Sequence, residues 1–284
     1  MLIVTGANGT LGSLVVARLL ARVPAAQIGL SVREPDQAKR WADLGVRVRP
    51  GDFEDPASLV HAFEGVTDIL IISAAAVGEV AERRHRNAIA AARDAGATRI
   101  VYTSHMGARV DSAFPPMRSH VTSEELLAAS GVPYVSLRNG FYASTPMRFL
   151  GPALASGKLV APADGKVSWT THHDLAEAAA RALAEPGTLH GITAPLTAGV
   201  AHDLADVARI ASEVTGTPIE RVVVSDDEFR RSMVEQKLPE MAIAMSLGLF
   251  AAARRGDFAA VDPELERLIG RAPQTVRDLI PRRT

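Results

Sequence analysis

The chain contains no cysteine, which excludes disulfides, thiol nucleophiles and thiolate metal sites and leaves the redox compartment undetermined. Aromatic residues make up only 5% of it, and no block of them interleaves with basic residues as a nucleic-acid surface would require. Neither charge is in excess: 31 lysines and arginines stand against 32 aspartates and glutamates, so no global field recruits a polyanion. No apolar run is long enough to span a bilayer. An apolar strand begins at residue 2, which leaves no room for a signal peptide. The expectation is a cytoplasmic protein that binds neither nucleic acid nor membrane.

What the chain does have is length and glycine. Its 284 residues can bury a full core, as one large α/β domain or as a large and a small one. The opening Met1-Leu-Ile-Val-Thr-Gly-Ala-Asn-Gly-Thr-Leu-Gly12 runs from an apolar strand through Gly6, Gly9 and Gly12 into a helical pattern, Ser13 to Leu20. A strand that feeds a helix through a glycine-rich turn is what holding a pyrophosphate requires. Gly6 would make the tight turn, Gly9 would admit the diphosphate to the backbone, and Gly12 would let helix and strand pack closely. Gly6, Asn8, Gly9, Thr10, Leu11 and Gly12 are therefore the candidate pyrophosphate site, served by free N–H groups and the positive helix end.

Further strands are expected at Gln27–Val32, Val46–Arg49, Asp68–Ser73, Thr98–Ser104 and Pro133–Arg138, with helices between them. This alternation argues a doubly wound parallel sheet. Arg33 ends the second strand, where an arginine can pair with a ribose 2′-phosphate; this favours NADP(H) over NAD(H), although Glu34 beside it can itself reach the ribose. Asp52 can hydrogen-bond the adenine amino group, with Phe53 beside the ring, or cap the next helix, a task for which Asp55 is better placed. Ser73 and Ala74 follow the fourth strand where the backbone would pass the cofactor. Thr103, Ser104 and His105 lie at the carboxyl end of the fifth, the side on which open α/β sheets bind ligands. Asn139, Gly140, Phe141 and Tyr142 follow the sixth. Asn139 and Gly140 would touch the nicotinamide, while Phe141 and Tyr142 would stack on a flat substrate or serve as core. His172 and His173 are adjacent, but no third ligand of fitting spacing accompanies them, so no metal is expected.

The form TGANGTLG, with Thr5 before it and Asn8 inside it, resembles the short-chain dehydrogenase/reductase superfamily. Nearly end to end the chain is similar to the atypical, NmrA-like branch, near its NADPH-dependent quinone oxidoreductase and triphenylmethane reductase groups. The resemblance is carried by RIVYTS, HVTSEELLAASGVPYVSLRNGFY, GVAHDLADVARIASEVTGTPIERVVVSDDEF and LIGRAPQTVRDLI. It implies a Rossmann-type doubly wound parallel sheet over 1–145. A small, mostly helical C-terminal substrate lobe over 146–284 would be interleaved with that core. It also implies NADP(H) as cofactor and, since related enzymes are often dimers, a homodimer.

The chain departs from the superfamily where active members carry Tyr-x-x-x-Lys: here His120 and Glu124 occupy that spacing. On a helix the two share a face. His120 can donate a proton while Glu124 raises its pKa, or both can be ordinary helix residues. The expected activity is direct hydride transfer, without flavin or metal, to a quinone or similar flat aromatic acceptor. His120, Glu124, Tyr142 and His105 are the candidate catalytic residues. A redox sensor that binds NADP without turnover, or a tailoring enzyme for an aromatic natural product, are the alternatives.

Overall fold

The computed structural model describes residues 1–281. They form two compact units: Met1–Val110, Pro116–Asn139 and His172–Leu196 make the first, and Asp111–Pro115, Gly140–Thr171 and the chain from Thr197 onward make the second.

The first unit runs β1 (Leu2–Thr5), α1 (Thr10–Leu20), β2 (Ile28–Val32), α2 (Lys39–Ala42), β3 (Arg47–Pro50), α3 (Pro56–Ala62), β4 (Asp68–Ile71), α4 (Gly78–Asp94), β5 (Arg99–His105), α5 (Pro116–Ala129) and β6 (Tyr134–Asn139). The helix His172–Ala184 and the short strand Gly191–Ile192 complete it. All strands are parallel, in one seven-stranded sheet ordered Gly191–Ile192, β6, β5, β4, β1, β2, β3. The winding direction reverses between β1 and β4, which opens a crevice beyond their carboxyl ends. The architecture is a Rossmann-like α/β fold, as the strand–helix alternation requires.

The inner strands are buried on both faces: Ile3, Ile69, Ile71 and Ile100 have no exposure and pack with Leu59, Phe63 and Tyr102 under α3 and α4. Such continuous apolar runs are what a parallel sheet covered on both sides demands. On the other face, α1 turns Val15, Val16 and Leu19 toward the alanine-rich helix His172–Ala184, whose Ala176, Ala178, Ala179, Ala180 and Ala182 are fully buried. Methyl side chains let those two helices approach closely. Glu177 joins them through Arg18 at 3.2 Å and through Arg22.

Between β2 and β3, where the strand–helix alternation calls for a helix, the chain forms a 3-10 turn, Pro35–Ala38, followed by the single turn of α2. Only Ala38 and Trp41 reach the core, three residues apart, which is the 3-10 period. α5 starts at Pro116, because proline fits a first helical position.

In the second unit, Phe141–Tyr142 pairs with Trp169–Thr170, and Lys158–Pro162 pairs with Glu220–Val224, both parallel. Its centre is aromatic: the Phe141 ring lies 5.6 Å from Phe114, 5.5 Å from Trp169 and 4.9 Å from Phe258. Among the described residues no helix is long and apolar enough to cross a membrane.

Candidate active site

The turn between β1 and α1 is closed by a Gly9 N–H to Gly6 carbonyl bond of 3.0 Å, with Gly6 at φ +62°, a left-handed conformation that favours glycine. A Cβ on Gly12 would run into the Gly6 carbonyl oxygen and come within 2.8 Å of the Ala7 Cα. The close approach that Gly12 permits is thus between helix and turn. No side chain caps α1 and its first turn holds no acidic residue. The amides of Thr10, Leu11 and Gly12 therefore have no partner within the helix, and no acidic side chain of that turn competes for them.

Asn8 is exposed and has one side-chain bond to the protein among the described residues. Its Nδ2 donates to the Glu34 carbonyl at 3.0 Å and so braces the turn against the segment after β2. Beside that anchored backbone, Arg33 is exposed and has no hydrogen-bond or ion-pair partner among the described residues. The Asp55 carboxylate accepts from the Ala57 N–H at 3.1 Å and caps α3, while Asp52 Oδ1 accepts from the Glu54 N–H at 3.0 Å. The Phe53 side chain packs against the core cluster.

Three successive amides beyond β4 are each held by a different buried side chain. Ile72 N–H donates to Thr5 Oγ1 at 3.0 Å, Ser73 N–H to Thr103 Oγ1 at 2.8 Å, and Ala74 N–H to His85 Nε2 at 2.9 Å. Segments from β1, β5 and α4 thereby fix the backbone path where it leaves the sheet. Thr103 also donates to Ser73 Oγ at 3.2 Å, so its hydroxyl is used inside the protein.

His105 and His120 come together: their rings stack at 6.2 Å with 27° between planes, at the carboxyl end of β5. His105 Nδ1 accepts from the Gly107 N–H at 3.0 Å, and His120 Nδ1 lies 3.0 Å from the Tyr102 hydroxyl. Tyr102 also approaches His85 Nδ1 at 3.4 Å. Burial pushes the His120 pKa down to about 4. For His85, burial, with His120 and Arg84 nearby, brings it to about 3. His105 is held well below its ordinary value by burial and then by His120. All three rings are neutral at pH 7.

The His120–Glu124 pairing is not made. Glu124 is 5% exposed and accepts four hydrogen bonds: from Ser104 Oγ at 2.8 Å, Ser136 Oγ at 3.0 Å, Arg138 Nε at 3.1 Å and the Arg138 terminal nitrogen at 2.8 Å. Bidentate arginine and two hydroxyls satisfy a carboxylate better than an imidazole one helical turn away. Glu124 ties α5 to β5 and β6, and the His120 pKa moves down rather than up. Ser104 gives its hydroxyl proton to the same cluster and keeps only its acceptor lone pairs.

Asn139, at the end of β6, is 2% exposed, yet neither its amide nitrogen nor its amide oxygen has a partner among the described residues. A buried amide with both ends unpaired costs several kcal/mol, on the order of 1–3 per atom, and asks for a ligand. Gly140, Phe141 and Tyr142 belong to the second unit. Phe141 is absorbed by the aromatic cluster described above, because a ring 7% exposed among three others has no face left for a substrate. Burial raises the Tyr142 pKa to about 12, which makes it a weak proton donor.

Sequence reasoning assigned no role to His85, Tyr102, Ser123 or Arg138. A signal existed for His85: it shares a buried stripe with Ala81, Ala88, Ile89 and Ala92 of α4, a place where a polar ring needs defined partners.

Residues 6–186 match the family model of NAD(P)H-binding proteins. The chain is 34% identical over 281 residues to quinone oxidoreductase 2 of Escherichia coli, covering 99% of this chain and 97% of that one. The crystal structure of the E. coli NADPH-dependent quinone oxidoreductase complexed with NADPH superposes with a TM-score of 0.93 at 33% identity, over 99% and 98% of the two chains. Triphenylmethane reductase of Citrobacter sp., complexed with NADP(H), gives 0.91 at 33% identity over 99% of each. An NmrA-like family domain-containing oxidoreductase of Aspergillus flavus is 29% identical over 98% of this chain and 93% of its own. The uncapped glycine turn and the family match lead to one conclusion: this chain belongs to the NAD(P)H-binding family, among its NmrA-like oxidoreductases.

Proposed function

We propose that the protein is an NADPH-dependent reductase acting on quinones or similarly flat conjugated acceptors. The observation that carries this reading is the open start of α1 at the switch point of the sheet, with an unpartnered Arg33 at the end of β2. The amides of Thr10, Leu11 and Gly12 would bind the pyrophosphate. Arg33 would pair with the 2′-phosphate and give NADPH its preference over NADH. Asp52 has a carboxylate oxygen not used by the Glu54 amide and would lie toward the adenine. The fixed backbone of Ser73 and Ala74 would flank the cofactor, and the two unpaired ends of the Asn139 amide suit a carboxamide such as that of nicotinamide. When bound, the cofactor supplies a hydride.

Around the acceptor the protein offers neutral imidazoles and no tyrosine activated by a lysine. That set suits an acceptor that needs little acid catalysis, because a reduced quinone is a stabilised aromatic oxyanion that takes its proton from water. Positioning then supplies most of the acceleration. The similarity to a quinone oxidoreductase and a triphenylmethane reductase supports the same substrate class. The test follows NADPH absorbance while naphthoquinones and cationic dyes are added to protein with verified cofactor binding. Oxidation well above the uncatalysed background is expected. Tight binding with every acceptor left unreduced would sink the reading and leave a sensor of the NADP redox state.

A further inference from the structure

We infer that His120 presents a neutral Nε2–H to the carbonyl oxygen of the acceptor, and that His85 and Tyr102 are positioning residues that decide which His120 nitrogen carries the proton. The inference rests on the reductase reading and assigns the site its electrophile.

The direction of each hydrogen bond follows from one that cannot be reversed. The Ala74 amide can only donate, so His85 Nε2, 2.9 Å away, is an acceptor and the His85 proton sits on Nδ1. That proton faces Ser123 Oγ at 2.7 Å, and Ser123 passes its own proton to the Ser119 carbonyl at 2.7 Å. The Tyr102 hydroxyl, 3.4 Å from the same protonated Nδ1, can only accept there. In the arrangement assigned here its own proton goes to His120 Nδ1 at 3.0 Å. In a neutral ring whose Nδ1 accepts, the proton is on Nε2. Burial keeps both rings neutral at pH 7.

His120 is only partly buried, and no described residue hydrogen-bonds to its Nε2. Its ring stacks on His105, at the carboxyl end of β5, so the donor lies on the side of the sheet where ligands bind. The chain of bonds also begins at Ala74, in the backbone segment proposed to flank the cofactor. One network thus fixes both the cofactor loop and the tautomer of the donor.

The chemistry balances without ionising a buried group. Hydride adds to the quinone with its two electrons, and the ring system carries the resulting negative charge on a former carbonyl oxygen. The Nε2–H hydrogen-bonds to that oxyanion, and water supplies the proton that completes the hydroquinone. A neutral imidazole suffices for this role and needs no reprotonation between turnovers.

Two acceptors separate this role from a structural one. A quinone builds an oxyanion, whereas a triphenylmethane dye takes the hydride at a cationic carbon and builds none. His120→Phe should lower kcat for the quinone by roughly 10- to 100-fold, at the lower end for loss of one oxyanion donor. It should leave dye decolorisation and the Kd for NADPH within about 2-fold, because neither uses the donor. His120→Gln, which keeps an N–H donor, should recover part of the quinone rate. Tyr102→Phe should show the same split in smaller measure. Nitrogen-15 spectra of the protein without cofactor, which need no turnover, should show His120 protonated on Nε2 at pH 7, with the proton partly shifted to Nδ1 in Tyr102→Phe. Equal losses on both acceptors, or a wild-type proton on Nδ1, would overturn the assignment alone. Wild-type protein that binds NADPH and reduces neither acceptor would overturn the reductase reading and the acceptor role with it.

Discussion

Two helix starts in this protein solve the same electrostatic problem in opposite ways. The helix Leu204–Thr215 closes its own N-terminus: Asp203 accepts from the Asp206 N–H at 2.8 Å, Asp164 accepts from the Leu204 N–H at 2.7 Å, and Asp206 adds a carboxylate to the first turn. α1 has a glycine in place of the cap, no acid in its first turn and a floor of backbone in place of side chains. Each start exposes the same unpaired amides and the same partial positive charge. One is satisfied by the chain itself, and the other is left open for the pyrophosphate of the proposed cofactor. The start without a side-chain cap is the one proposed to hold the cofactor.

The most direct way to break the contrast is to close the open start. Gly9 sits at φ −80° and ψ 168°, which any residue adopts, and a Cβ there comes no nearer than 3.3 Å to the Gly6 carbonyl. Gly9→Asp should therefore fold at a cost of about 1 kcal/mol, because the Gly6 carbonyl must give by a few tenths of an ångström. Its carboxylate would occupy the amides proposed for the pyrophosphate and repel it. Affinity for NADPH should fall by about 1,000-fold, or roughly 4 kcal/mol, measured by calorimetry. Retained affinity would mean that the phosphates bind elsewhere.

Smaller losses sharpen the comparison. Gly12→Ala forces the turn away from the helix, because its Cβ collides with the Gly6 carbonyl and not with a yielding side chain. A loss of about 10- to 100-fold in NADPH affinity is expected, with a stability cost of about 1–3 kcal/mol for overpacking. Next in size is Arg33→Ala. If Arg33 pairs with the 2′-phosphate as proposed, NADPH affinity should fall by about 10-fold, the worth of one exposed charge-assisted contact, while NADH affinity stays constant. Equal losses for both cofactors would assign Arg33 a role in shaping the loop.

The open start was legible in the sequence because its constraints are local. A positive φ at Gly6, a forbidden Cβ at Gly12 and a strand before them are written within a dozen residues, and the alternation of apolar runs and helices fixed the parallel sheet. The acceptor side was not legible in the same way. Glu124 stands at the spacing of a catalytic lysine, but its partners Ser104, Ser136 and Arg138 arrive from two strands, and only the folded sheet brings them to one carboxylate. Phe141 looked like a stacking platform, and its use depended on Phe114 and Phe258, far from it along the chain. Periodicity could mark His85 as buried; it could not say that its partner would be the Ala74 amide.

The smallest expected effect tests the closed start. Asp203→Ala removes the side chain that accepts from the Asp206 amide and one of the two carboxylates that pair with Lys166, at 3.0 Å. The ion pair is half exposed on the lysine side and contributes little. The cap matters more, and its loss costs on the order of 1 kcal/mol in an ordinary helix. Here Asp164 still holds the Leu204 amide, so the cost should fall at the low end, about 0.5–1 kcal/mol. The reading is a lower urea midpoint with an unchanged slope, because the surface exposed on unfolding is the same. The Kd for NADPH should not move. Carboxylates at this start serve the fold alone, and a change in cofactor affinity would show that the two helix starts are coupled and not merely alike.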